Sequence, residues 1–79
     1  MKIAKVEWED SFGLFGIWNS RESVEELRPS IITTVGFVVK EEKSHMTLTA
    51  SVTQGESSDM QGPICIPRRA IKKVTVLRK

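Results

Sequence analysis

Four cations crowd one turn near the end of the chain, where Arg68, Arg69, Lys72 and Lys73 follow Pro67. A guanidinium is a planar fork that matches phosphate, and an ammonium adds a point charge, so the chemistry this cluster suggests is phosphate contact. With Arg78 and Lys79, the last twelve residues carry +6 and no acid. Residues 1–67 carry six basic and ten acidic side chains, a balance of −4. The overall charge of +2 says little about a nucleic-acid partner. The uneven distribution says more, because local fields act on local ligands. Trp8, Phe15 and Trp18 are candidates for stacking on bases or for an interface, wherever they are exposed. The competing use of such charge is to keep a small domain soluble.

Other reactive residues are sparse. His45 is the only histidine and Cys65 the only cysteine. A Cys–His nucleophile pair needs both within hydrogen-bond reach and an activated thiol, and no third group stands ready to orient them. A structural zinc site needs four ligands, more than one cysteine and one histidine supply. Glu41, Glu42 and His45 read as a charged turn rather than a chelate. Asp10 and Asp59 would form a carboxylate pair only if their two loops met. Neither a phosphate-cradling glycine loop nor a dinucleotide fingerprint occurs. The expectation is therefore no enzyme, no cofactor and no metal.

One cysteine excludes an intrachain disulfide and suits a reducing compartment. Lys2, Lys5, Glu7, Glu9 and Asp10 leave no room for a secretory apolar region. No apolar run approaches the roughly 20 residues that span a bilayer. A cytoplasmic location without a membrane partner is expected. Seventy-nine residues at 39% apolar content suggest a single domain over 1–79. A core this small gains stability by association, so a homo-oligomer is expected.

The elements that must position these residues follow from periodicity. Residues 2–10 alternate, with Ala4, Val6 and Trp8 on one face, as a half-buried strand does. Asp10 should cap the turn that follows. Residues 11–19 contain two glycines and read as a loop. Its Phe12, Leu14, Phe15, Ile17 and Trp18 should either fold back as a lid on the core or cover a partner surface. Residues 20–28 predict a short helix, capped by Asn19 or Ser20 and ended by Pro29, which at two turns must dock on a sheet. Residues 31–40 predict a central strand, bent at Gly36. Glu41 to Ser44 form a polar turn.

In 45–53, Met46, Leu48, Ala50 and Val52 should point in, and His45, Thr47, Thr49, Ser51 and Thr53 out, as a solvated face in the favoured reading or, in the alternative, as a hydrogen-bonding surface for a ligand or a neighbouring strand. Residues 54–62 predict a loop. Pro63 and Pro67 belong at a strand end or edge, with Ile64 and Ile66 facing the core. Residues 68–71 predict one 3₁₀ turn, and Val74, Val76 and Leu77 the last strand. The sum is a mainly β fold, a small five-stranded SH3-like or Sm-like barrel with one short helix inserted after the first strand. An edge left unpaired in it would invite strand addition.

Three blocks support a resemblance: Val6-Glu7-Trp8-Glu9-Asp10-Ser11, Thr34-Val35-Gly36-Phe37-Val38 and Ile66-Pro67-Arg68-Arg69-Ala70-Ile71. They resemble the V-E-W-x-D-S, S/T-V-G-[FW]-L and I-P-[KR]-x-x-I motifs of a group of small bacteriophage and prophage proteins. An aspartate-containing loop precedes that group's last block, as Asp59 does here. The resemblance runs in the same order over most of the chain, although segment 12–18 shares only Trp18. It implies an Sm-like or SH3-like fold and, if the chain is phage-encoded, the host cytoplasm. Barrels of that kind often bind single-stranded nucleic acid through loops before the last strands. The expected function is a non-enzymatic binding module for RNA, single-stranded DNA or a nucleotide, acting through Arg68, Arg69, Lys72 and Lys73. The alternatives are an anti-defence accessory protein that binds a host protein or sequesters a signalling molecule, and a purely structural homo-oligomer.

Overall fold

The period-two pattern of the chain produces five strands. The computed structural model describes residues 1–55 and 58–79. Along the chain come β1 (Ile3–Asp10), α1 (Arg21–Glu25), β2 (Ser30–Glu41), β3 (His45–Val52), β4 (Met60–Pro67), a 3₁₀ turn over Arg68–Ala70, and β5 (Ile71–Arg78). Residues 56 and 57 of the expected loop 54–62 lie outside the described residues, and β4 already begins at Met60.

All five strands join one antiparallel sheet in the order β4-β3-β2-β1-β5. Strand β2 serves two neighbours with its two halves. Residues 30–37 pair with β1, and residues 37–41 pair with β3. The change of partner falls beside Gly36. A Cβ there would lie 2.8 Å from the Thr49 carbonyl oxygen, so only glycine lets the two strands cross so closely. The bend folds the sheet over a core of Ala4, Val6, Met46, Leu48 and Ile66, with Trp8, Val38, Ile64, Ala70 and Ile71 packed around it.

The expected barrel does not close. Among the described residues, β4 and β5 share no pairing, and the sheet ends on each of them. The backbone of β4 accounts for its free edge. The Arg68 N–H donates to the Ser44 carbonyl at 2.9 Å, so alternate residues of β4 aim their N–H groups at β3 and the others aim away. Positions 63 and 67 belong to the outward set and are prolines, which carry no N–H. A continuous ladder along that edge would lack two of its donors.

Three further expectations are corrected. Helix α1 does not dock on the sheet. It spans five residues, buries none of them, and is held locally. The Ser20 hydroxyl accepts from the Ser23 N–H at 3.2 Å, and Arg21 Nε pairs with Glu25 at 2.8 Å. Its apolar stripe is only Val24 and Leu27, too narrow to hold it on a sheet. Thr49 is not a solvated side chain either. It is 1% exposed, and its hydroxyl donates to the Gln61 carbonyl at 2.8 Å across the β3–β4 pair. Ala50, expected inside, is exposed.

The segment between Asp10 and Ser30 therefore forms an arm at the end of the β1–β2 hairpin. Its effect on shape is large. The Cα radius of gyration is 16.3 Å and the longest dimension 54 Å, against about 12 Å expected for a compact chain of this length.

Candidate nucleic-acid interface

The basic residues come from the 3₁₀ turn and the start of β5. Pro67 has extended backbone, with φ −65° and ψ 140°, and delivers the chain into the turn. Ile71 closes the turn through its N–H to the Arg68 carbonyl and packs against the core. Pairing of Ile71 with Trp8 sets this unit beside the end of β1 from which the arm departs.

The four cations are not equivalent. Arg68 is half-buried, and its Nε donates to the Glu42 carbonyl at 3.0 Å, tying the 3₁₀ turn to the β2–β3 turn. Lys72 stands 3.5 Å from a Glu9 carboxylate oxygen. Lys73 is exposed and pairs across the strands with Glu7. Arg69 is exposed, and no ion pair forms on it among the described residues. Phosphate contact through Arg68 or Lys72 would compete with those bonds, whereas Arg69 offers its whole fork.

The aromatic candidates separate just as clearly. Trp8 is half-buried, packs against the core, and donates its indole N–H to the Thr34 hydroxyl at 3.0 Å. It is a structural tryptophan with a satisfied polar end. Phe15 and Trp18 lie on the arm at 97% and 91% exposure. Segment 12–18 is thus no lid on the core. Phe12 and Ile17 of the same segment are exposed as well.

At the arm's root, the Ser11 N–H donates to the Asp10 carboxylate at 2.9 Å, the expected turn cap. Asp59 has a different setting: its N–H donates to the Thr53 hydroxyl at 2.8 Å, and its carbonyl accepts from the Thr53 N–H at 2.9 Å. It thereby closes the base of the β3–β4 loop. Next to it are two open clefts of about 170 and 180 Å³, the first lined by Ser51, Val52, Thr53, Asp59, Met60 and Gln61, the second including Met1 and Phe37. Neither is lined by a basic candidate.

His45 Nδ1 lies 2.7 Å from the Ser44 hydroxyl, and Cys65 is an exposed free thiol opposite Thr47. No group of three or more metal-binding side chains occurs among the described residues. The clearest electrostatic perturbation lies elsewhere. The hydrogen bond from Lys2 Nζ, at 2.7 Å, holds the Glu41 carboxyl below the usual carboxylate range. The charges of Lys2 and Arg68 add to it, and slight desolvation opposes it.

Sequence reasoning missed the outer edge of β2. Ile31 and Val35 are 58% and 53% exposed there. The signal was present in Ser30–Val39, which contains no charge yet carries apolar residues at both odd and even positions. No helix among the described residues is long and apolar enough to cross a membrane. No protein-family model matches this chain, and neither a curated protein nor a solved structure does.

Proposed function

We propose that the chain is a non-enzymatic binding module of the phage-type Sm-like or SH3-like kind, which contacts single-stranded nucleic acid or a nucleotide through its basic C-terminal turn. The observation that carries this reading is the placement of exposed Arg69 beside the root of an arm that exposes Phe15 and Trp18. Cation and aromatic groups then lie at one end of the sheet, the combination that single-strand binders use for backbone and base. Arg69 and Lys73 are the primary phosphate contacts in this reading. Arg68 and Lys72 position the turn and add field.

The test is binding of a fluorescent single-stranded oligonucleotide over a salt series. Affinity should fall as salt rises, and Arg69→Ala should lower the log–log slope by about 0.7, the loss of one phosphate contact. Absence of binding at low salt overturns the reading.

The bare arm supports a second reading, in which the chain is an accessory protein whose arm grips a host protein. Several large apolar side chains on one exposed segment are what such a contact requires. Capture of a defined host partner that Trp18→Ala abolishes, with no oligonucleotide binding, would favour it over the first.

A further inference from the structure

Among the described residues, three long strand edges lie open, and two of them are protected. On β4 the prolines at 63 and 67 delete outward donors. Strand β5 carries Lys72, Lys73 and Arg78, so its edge repels a copy of itself. The third edge belongs to the first half of β2. Its residues 30–36 pair with β1 on one side, and among the described residues no strand pairs with them on the other. That stretch, Ser-Ile-Ile-Thr-Thr-Val, has no charge, no proline and a β-branched side chain at every position after the first. Natural sheets seldom leave such an edge uncovered.

Which groups face outward follows from one hydrogen bond. The Val38 N–H donates to the Lys2 carbonyl at 2.8 Å. Even-numbered residues of this half therefore aim their N–H and C=O groups at β1, and Ile31, Thr33 and Val35 aim theirs at the open edge. The same three side chains share the face opposite the core, where all are exposed.

We propose that this edge pairs with the same edge of a second copy of the chain, antiparallel about a twofold axis at Thr33. The register is determined by chemistry. Thr33 faces its own copy, and Ile31 faces Val35 in both directions. Each of these pairs exchanges both backbone hydrogen bonds, because all three residues aim their polar groups outward. Side chains meet as a threonine–threonine pair flanked by two isoleucine–valine pairs, combinations that stabilise antiparallel strands. Symmetric pairing places like beside like, so it favours an edge without charge along its length, as residues 30–35 are, whereas the uncharged Val74, Thr75, Val76 and Leu77 of β5 are flanked by Lys72, Lys73 and Arg78. The contact is isologous and closes as a dimer rather than a fibre. It leaves Arg69 free and is independent of the nucleic-acid reading.

The experiment is mass measurement by light scattering without nucleic acid, over a concentration series reaching the solubility limit. The expected species has twice the 8.9 kDa chain mass. Thr33→Pro removes one outward donor and no bond to β1, and should return the protein to monomer. A second variant, Cys65→Ser with Thr33→Cys, should form a disulfide-linked dimer on mild oxidation, because an opposed hydrogen-bonded pair places its Cα atoms about 5.5 Å apart. Cys65→Ser with Lys73→Cys should not. The cross-link decides the matter if Thr33→Pro fails to fold. A chain that stays monomeric throughout, or a dimer that Thr33→Cys does not cross-link, overturns the proposal.

Discussion

The sheet and the arm of this protein are built from the same kinds of residue and use them in opposite ways. In the sheet, Val6, Met46, Leu48 and Ile66 are at most 1% exposed and form the core. In the arm, Phe15, Ile17 and Trp18 are at least 91% exposed and bury against nothing. Apolar content alone therefore does not locate a core. Side chains reach it only when the backbone alternates and its hydrogen bonds are met by neighbouring strands. Two glycines in segment 11–19 prevent both, so the apolar side chains there remain available for other molecules. Stability should reside almost wholly in the sheet, and the nucleic-acid contact proposed above in the arm and the turn beside it.

Substitutions in the core should break the protein first. Leu48→Ala removes a fully buried side chain from a very small core. The expected loss is about 2–5 kcal/mol, read from urea unfolding, a large share of what so short a chain possesses. Gly36→Ala comes next. Its methyl would meet the Thr49 backbone oxygen at 2.8 Å, which cannot swing away as a side chain does. A cost of about 1–3 kcal/mol is expected in the same assay. Thr49→Val keeps the shape but leaves the Gln61 carbonyl without its donor, for about 1 kcal/mol.

The smallest effects belong to the surface. Lys2→Met should cost no more than about 1 kcal/mol, because the Lys2–Glu41 pair is partly solvated. Its pH dependence has a definite sign. Glu41 titrates lower in the folded protein than in the unfolded chain, so its contribution is complete above the unfolded carboxylate range. The contribution is lost as pH falls through the depressed folded value. Thermal midpoints of the parent and Lys2→Met should therefore converge in acid. Trp18→Ala, despite the size of the side chain, should change stability by less than about 0.5 kcal/mol.

Much of the sheet was legible in the sequence. Alternation located β1, β2 and β3 almost to the residue, and the one-turn 3₁₀ connection before β5 was expected from its length. Gly36 marked the bend because a strand interior rarely holds a glycine without a close approach. What the sequence hid were the properties that depend on distant partners. Thr49 looks like its neighbours Thr47 and Ser51, yet it is buried, and its hydroxyl reaches the Gln61 carbonyl of β4. Closure of the barrel turned on which way Pro63 and Pro67 face, and that depends on a hydrogen bond from Arg68 to Ser44. The docking expected of α1 failed because two apolar residues give a helix too little surface to bury. Within the basic turn, composition could not separate Arg69 from Arg68, whose Nε–H donates to the Glu42 carbonyl.

The division between sheet and arm is tested most directly by shortening the chain. Residues 11–29 would be replaced by Asn-Gly, a two-residue hairpin turn that joins Asp10 to its strand partner Ser30. Urea unfolding at matched, low chain concentration should give a free energy within about 0.5 kcal/mol of the parent. A loss of several kcal/mol would contradict the account, because it would mean that the arm holds the sheet together.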